Sequence, residues 1–126
     1  MKQTNCYTLS FGKIVVLKDN LAEVIVDEGV EMDMPAVGEF HDFLLSNFKA
    51  PICLLVNKCN SYSYTFEAQK NIVSLKEIKV VAVVVNTVGS EMAAEMVLNI
   101  SKTKDWYAEI FRKRDEALNW IGDLAS

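Results

Sequence analysis

Lys58, Tyr62 and Tyr64 lie close together in one polar segment, Asn57-Lys58-Cys59-Asn60-Ser61-Tyr62-Ser63-Tyr64. A phenol near a lysine can carry acid–base or nucleophilic chemistry, provided a cleft perturbs their pKa values. Fully solvated, the same groups are inert. Ser61 and Ser63 are candidate phosphorylation sites, where a phosphate would add nearly two negative charges. A plainer reading has Asn60, Ser61, Ser63 and Thr65 closing a turn and capping a helix. Capping leaves the two tyrosines unexplained.

Other routes to catalysis are poorly provided for. His41 is the one histidine, and it falls among Val37, Phe40, Leu44 and Leu45 on the packing arc of a predicted helix, the place of a satisfied core histidine rather than a general base. Cys6, Cys53 and Cys59 form no CxxC pair and read as free thiols. With so few histidines and scattered cysteines, no metal site is expected. Gly12, Gly29, Gly38, Gly89 and Gly122 are dispersed, so neither a Walker loop nor a GxGxxG turn can cradle a phosphate, and no cofactor is expected. Asp27/Glu28 and Asp115/Glu116 read as solvated charges. The expectation is a protein that is not an enzyme, with Lys58 and the tyrosines the one exception worth testing.

The chain has 126 residues, with 13 basic and 17 acidic side chains and 51% hydrophobic residues. That suits a single domain spanning residues 1–126. Residues 1–50 hold four Lys against eight Asp or Glu, which argues against a nucleic-acid footprint. The longest apolar run, Val80–Val85, is far short of the ~20 residues of a membrane span. The opening residues lack an apolar stretch, so no secretory signal and a cytoplasmic location are expected.

The elements that must position these groups follow from hydropathy. Lys13–Leu17 and Leu21–Val26, separated by Lys18-Asp19-Asn20, read as an antiparallel hairpin. Asp33 and Pro35 open a helix ending near Asn47, with Val37, Phe40, His41, Leu44, Leu45 and Phe48 on one arc. Strand Ile52–Val56 leads into the polar segment, and a helix runs from Thr65 to Leu75. Ile78–Val85 is apolar almost without alternation, as in a parallel strand covered on both faces. Asn86-Thr87-Val88-Gly89 forms a second loop, with Ser90 capping a helix whose Met92 and Met96 read as core. A strand Trp106–Phe111 precedes a helix carrying Ala117, Leu118, Trp120, Ile121 and Leu124. The predicted fold is α/β: a mixed, mainly parallel five-stranded sheet with helices packed on it, in the order β-β-α-β-α-β-α-β-α.

In such a sheet, ligands and partners meet the loops at the carboxyl ends of the strands. Two such loops stand out: 57–64, and Asn86, Thr87, Gly89 and Ser90. Both lead into helix N-termini, which favour anions. In the helix after the first loop, Ala68, Ile72 and Leu75 make one apolar arc, while Phe66 and Val73 fall on another face. That second stripe is either wedged between neighbours or a surface for a partner.

The element order and the closing segment Ile110-Phe111-Arg112-Lys113-Arg114-Asp115-Glu116-Ala117-Leu118-Asn119-Trp120-Ile121 resemble the STAS domain superfamily, and within it the SpoIIAA-like branch. The likeness runs from about Tyr7 onward. It implies a regulatory module like the anti-sigma-factor antagonists, which bind a kinase through the loop and helix after the third strand. There a serine in an Asp-Ser-Ser-Gly-like turn is phosphorylated. The matching turn here is Asn60-Ser61-Tyr62-Ser63, with Ser61 most similarly placed but without the acidic residue or the glycine. Other STAS-like members resemble lipid-carrying or small-molecule-sensing domains.

The leading expectation is therefore a protein-interaction module. It would meet a protein partner or a second copy through Asn57, Asn60, Ser61, Tyr62, Ser63, Tyr64, Phe66 and Val73. The alternative is a domain binding a small apolar or anionic ligand or a lipid, lined by Met92, Met96 and the helix 34–48. A filled interior would favour the first; a deep cavity with convergent polar groups would favour the second.

Overall fold

The computed structural model describes residues 5–72, 74–100 and 107–125. The chain opens with three antiparallel strands, β1 (Asn5–Leu9), β2 (Gly12–Lys18) and β3 (Leu21–Val26). The two-residue strand β4 (Glu31–Met32) precedes helix α1 (Met34–Asn47). There follow β5 (Ile52–Lys58), the short β6 (Ser63–Tyr64), α2 (Phe66–Asn71), β7 (Ile78–Val85), α3 (Val88–Ile100), β8 (Tyr107–Phe111) and α4 (Arg114–Ala125).

The sheet is mixed and six-stranded, in the order β1-β2-β3-β5-β7-β8. Pairing is parallel from β3 onward. The expected five strands become six because β1 pairs with β2 across a tight turn, Leu9 facing Gly12. Asn5 to Thr8 are exposed; as an edge strand, β1 carries almost no hydropathy signal. A separate two-stranded parallel ribbon joins β4 to β6.

The predicted start of α1 is reproduced: Asp33 accepts from the Ala36 amide at 3.0 Å, and Pro35 sits in the first turn. Such a cap contributes about 1 kcal/mol. The helix buries Ala36, Val37, Phe40 and Leu44, whereas Leu45 is exposed. His41 is half-buried, with Nε2 3.0 Å from the Ile72 carbonyl oxygen, a satisfied core partner. At α3 the predicted cap shifts. Thr87, not Ser90, is the capping residue: its Oγ1 accepts from the Ser90 amide at 3.0 Å, and Ser90 Oγ accepts in return from the Thr87 amide at 3.1 Å. Helix α2 is shorter than the predicted 65–75, starting after the Thr65 cap and ending at Asn71. Trp106 lies outside the described residues.

Helices α1, α2 and α3 cover one face of the sheet, packing Phe40, Leu44, Ala68 and Ala94 against Ile14, Val24, Leu54 and Val81. Helix α4 covers part of the other, setting Ala117 and Ile121 against Leu21, Cys53, Leu55 and Ala82. Strands β5 and β7 thus contribute apolar residues to both faces, which accounts for their lack of alternation. Each fully buried Leu or Val there contributes about 1.5–3 kcal/mol. Glu23, on the α4 face, is a buried carboxylate. Arg114 donates to it through Nε at 3.1 Å and a terminal nitrogen at 2.7 Å, and Asn57 Nδ2 donates at 3.0 Å. Burial pushes the Glu23 carboxyl up, but the Arg114 and Asn57 hydrogen bonds and the guanidinium charge outweigh it and hold the pKa below its ordinary value. This pair fastens the start of α4 to the middle of the sheet. Among the described residues, no helix is long and apolar enough to cross a membrane.

Candidate functional site

Strand β5 runs two residues beyond the predicted Val56. Side chains alternate along a strand, so Ile52, Leu54 and Val56 face the three-helix layer and Lys58 follows them inward. The Lys58 side chain is only 4% exposed. Its Nζ lies 3.8 Å from the centroid of the Tyr62 ring and 5.3 Å from that of Tyr64. Among the described residues, no carboxylate stands within 4.0 Å of it. Burial pulls the Lys58 pKa down to about 8. The cation therefore rests on two aromatic faces, worth about 0.5–2 kcal/mol, in place of a counter-charge.

The tyrosines are held rigidly. The segment carrying them is stitched to residues 29–32 by backbone hydrogen bonds: Gly29 to the Ser61 carbonyl at 2.7 Å, Ser63 to that of Val30 at 3.0 Å, Thr65 to that of Met32 at 2.8 Å. Tyr62 and Tyr64, two residues apart, point to the same side, their rings 5.5 Å apart in an edge-to-face contact and their hydroxyls 3.4 Å apart. Burial raises both phenol pKa values, and the neighbouring Tyr64 and Cys59 raise that of Tyr62 further. Both stay neutral donors across the physiological range.

Lys58, Tyr62 and Tyr64 line one end of a cavity between the sheet and the helices, whose remaining wall is apolar and includes Phe11, Met32, Phe40, Leu54 and Ile72. The cavity volume is about 40 Å³. Lys58 and Tyr62 also line a second, more polar cleft of about 290 Å³ that opens outward. Asn60 and Ser61 form one side of that cleft, and Asn86, Thr87, Gly89 and Ser90 the other. The two loops therefore share one rim, with Lys58 where the apolar cavity meets the polar cleft.

Within this frame the predicted residues separate. Tyr62 and Tyr64 turn inward. Asn60 lines the outer cleft and donates from Nδ2 to the Val26 carbonyl at 2.9 Å. Ser61 and Ser63 are exposed, and the Ser61 amide donates to Glu28 Oε1 at 2.9 Å. Asn57 departs from the expected rim: lying on the strand next to Lys58, it points to the opposite face and binds Glu23. Phe66 is 68% exposed, while Val73 lies outside the described residues. Met92 and Met96 are not core but exposed on the outer side of α3; Ala94 and Leu98 face the cavity in their place. The burial of Lys58 was visible in the sequence only as the next alternate position of an apolar strand. That signal was lost by ending the strand at Val56.

The cysteines are free, Cys53 buried and Cys6 and Cys59 exposed. Among the described residues, no group of His, Cys, Asp and Glu is assembled that could hold a metal ion. The end of the cavity can hold an anion at the ammonium, donate hydrogen bonds from two phenols and enclose a small apolar group. No protein-family model, curated protein or solved structure matches the chain.

Proposed function

We propose that this domain binds a compact apolar ligand carrying an anionic group, with the apolar part in the cavity and the anion against Lys58, Tyr62 and Tyr64. The observation carrying this reading is a buried ammonium at the end of an apolar cavity, with no carboxylate among the described residues within 4.0 Å of it. Burying a lone charge costs several kcal/mol. A carboxylate arriving at ~4 Å would return about 4 kcal/mol at an effective dielectric of about 20. Glu28 lines the outer cleft and disfavours an anion at the rim, so the head group belongs deeper, at Lys58. In this reading the chain is a STAS-like domain of the ligand-binding kind. Octanoate and octylamine, titrated calorimetrically at pH 7, provide the test. Octanoate should bind saturably, octylamine should not, and Lys58→Met should weaken octanoate at least tenfold. Equal behaviour of the two amphiphiles would remove the proposal.

A second reading, the regulatory protein-interaction module, draws on a separate observation. Val88, Met92 and Met96, spaced by four residues along α3, are 66%, 61% and 56% exposed, and Phe66 on α2 is exposed as well. Four large apolar side chains left in water suit a partner or a second copy of the chain. Phe66→Ala and Met92→Ser, followed by oligomer size and pull-down, test it; unchanged association in both variants would discard it.

A further inference from the structure

We infer that Lys58 is a Schiff-base lysine, whose amine captures an aldehyde or ketone carried by a compact apolar body in the cavity. The inference rests on the reading of that cavity as a ligand site and adds a covalent step to it. Three features support it. The side chain is 4% exposed and lines both the apolar cavity and the polar cleft, so a ligand entering through the cleft meets the amine. No carboxylate among the described residues stands within 4.0 Å to hold the nitrogen as an ammonium. Two phenols that burial keeps protonated line the same cavity.

Desolvation in an apolar pocket is a recognised way to activate a lysine nucleophile. With a pKa of about 8, about a tenth of the side chain is free amine at pH 7, on the order of a hundredfold more than for an exposed lysine.

The chemistry balances without an oxidant or reductant. The Nζ lone pair forms a C–N bond to the carbonyl carbon, and the C=O π pair moves to oxygen. That oxygen takes a proton from a tyrosine hydroxyl, and the nitrogen returns a proton to the phenolate. The carbinolamine hydroxyl takes a proton from the tyrosine and leaves as water as the nitrogen lone pair closes the C=N bond, and the remaining N–H proton returns to the phenolate. One carbonyl and one amine give one imine and one water.

The experiment uses the full chain with limiting hexanal at pH 7.5, reduction by cyanoborohydride, and intact-mass and peptide analysis. A single hexyl adduct is expected, located on Lys58 at least tenfold above any other lysine. Its yield should rise with pH around a midpoint near 8, as exposed lysines would not. Lys58→Arg should abolish the adduct, because a guanidinium forms no imine with an aldehyde. Labelling spread over the surface lysines, or unchanged single labelling of Lys58→Arg, overturns the inference. So does a yield midpoint near 10 in the unmodified sequence, a readout that needs no variant to fold. Octanoate binding without a Lys58 adduct would refute the covalent step alone, whereas a Lys58 adduct without octanoate binding would refute only the anion site.

Discussion

Replacing Lys58 by Met should stabilise this protein at neutral pH, an unusual direction for a substitution at a buried site. The fall of the Lys58 pKa from 10.5 to about 8 corresponds to about 3 kcal/mol, at 1.36 kcal/mol per decade. Met has a similar length and an adaptable, apolar side chain, so it keeps the volume and removes the charge. The aromatic contacts to Tyr62 and Tyr64 are lost with it, about 0.5–2 kcal/mol. The net expectation is a gain of about 1–2 kcal/mol at pH 7.

The pH dependence has a definite sign. Because the folded pKa lies below the unfolded one, the unfolded chain binds more protons between pH 8 and 10.5. The penalty is therefore complete below about pH 8 and is relieved as pH rises through that window. The titratable and charged neighbours in the two clefts, Tyr62, Tyr64, Cys59 and Glu28, are common to both proteins, so the difference between them isolates Lys58. Urea denaturation at pH 7 and 9.5 measures it. The advantage of the Met variant should shrink by about 2 kcal/mol between the two. A variant less stable than the parent at pH 7, or a difference that ignores pH, would refute the reasoning. The expected gain, if measured, means that the intact protein keeps a destabilising cation, the trade expected of a binding site.

Two further substitutions test the scaffold. Arg114→Ala removes the counter-charge of the buried Glu23 carboxylate. Since Arg114 is about half exposed, solvent screening limits the loss to about 1–2 kcal/mol at pH 7. The depressed Glu23 pKa makes the pair's contribution complete above the ordinary value of 4.5 and lost as pH falls through the folded value. Urea titrations at pH 7 and 3.5 should therefore show a narrower gap between parent and variant at the lower pH, and a constant gap would count against the assignment. Gly12→Ala would set a methyl 2.2 Å from the Ile25 carbonyl oxygen and 2.9 Å from Val26 Cα, forcing β2 and β3 apart at a cost above ~2 kcal/mol. Gly38→Ala, with nothing within 4 Å of the added carbon, should instead gain up to about 1 kcal/mol; thermal melts of the two should move in opposite directions.

Much of the architecture was legible because it repeats along the chain. The α1 cap at Asp33, the β2–β3 hairpin and the doubly buried β7 each announce themselves within a few residues. The edge strand β1 did not, since an exposed strand of mixed polarity has no periodicity to read. Met92 and Met96 show the complementary failure. Hydrophobic residues on a helix suggest a core, but only the packing of α3 against the sheet decides that Ala94 and Leu98 face inward.

By itself the sequence determined the α/β class, the parallel strands and the two polar loops, because local propensity and burial pattern are properties of neighbouring residues. Tertiary structure alone decided that those loops share a rim, that Asn57 and Lys58 part to opposite faces, and that Lys58 meets Tyr62 and Tyr64 with no carboxylate among the described residues beside it. A charge buried without its complement is a property of three-dimensional surroundings, assembled from β5, β6 and the helices that cover them. Nothing in the linear order of those residues expresses it.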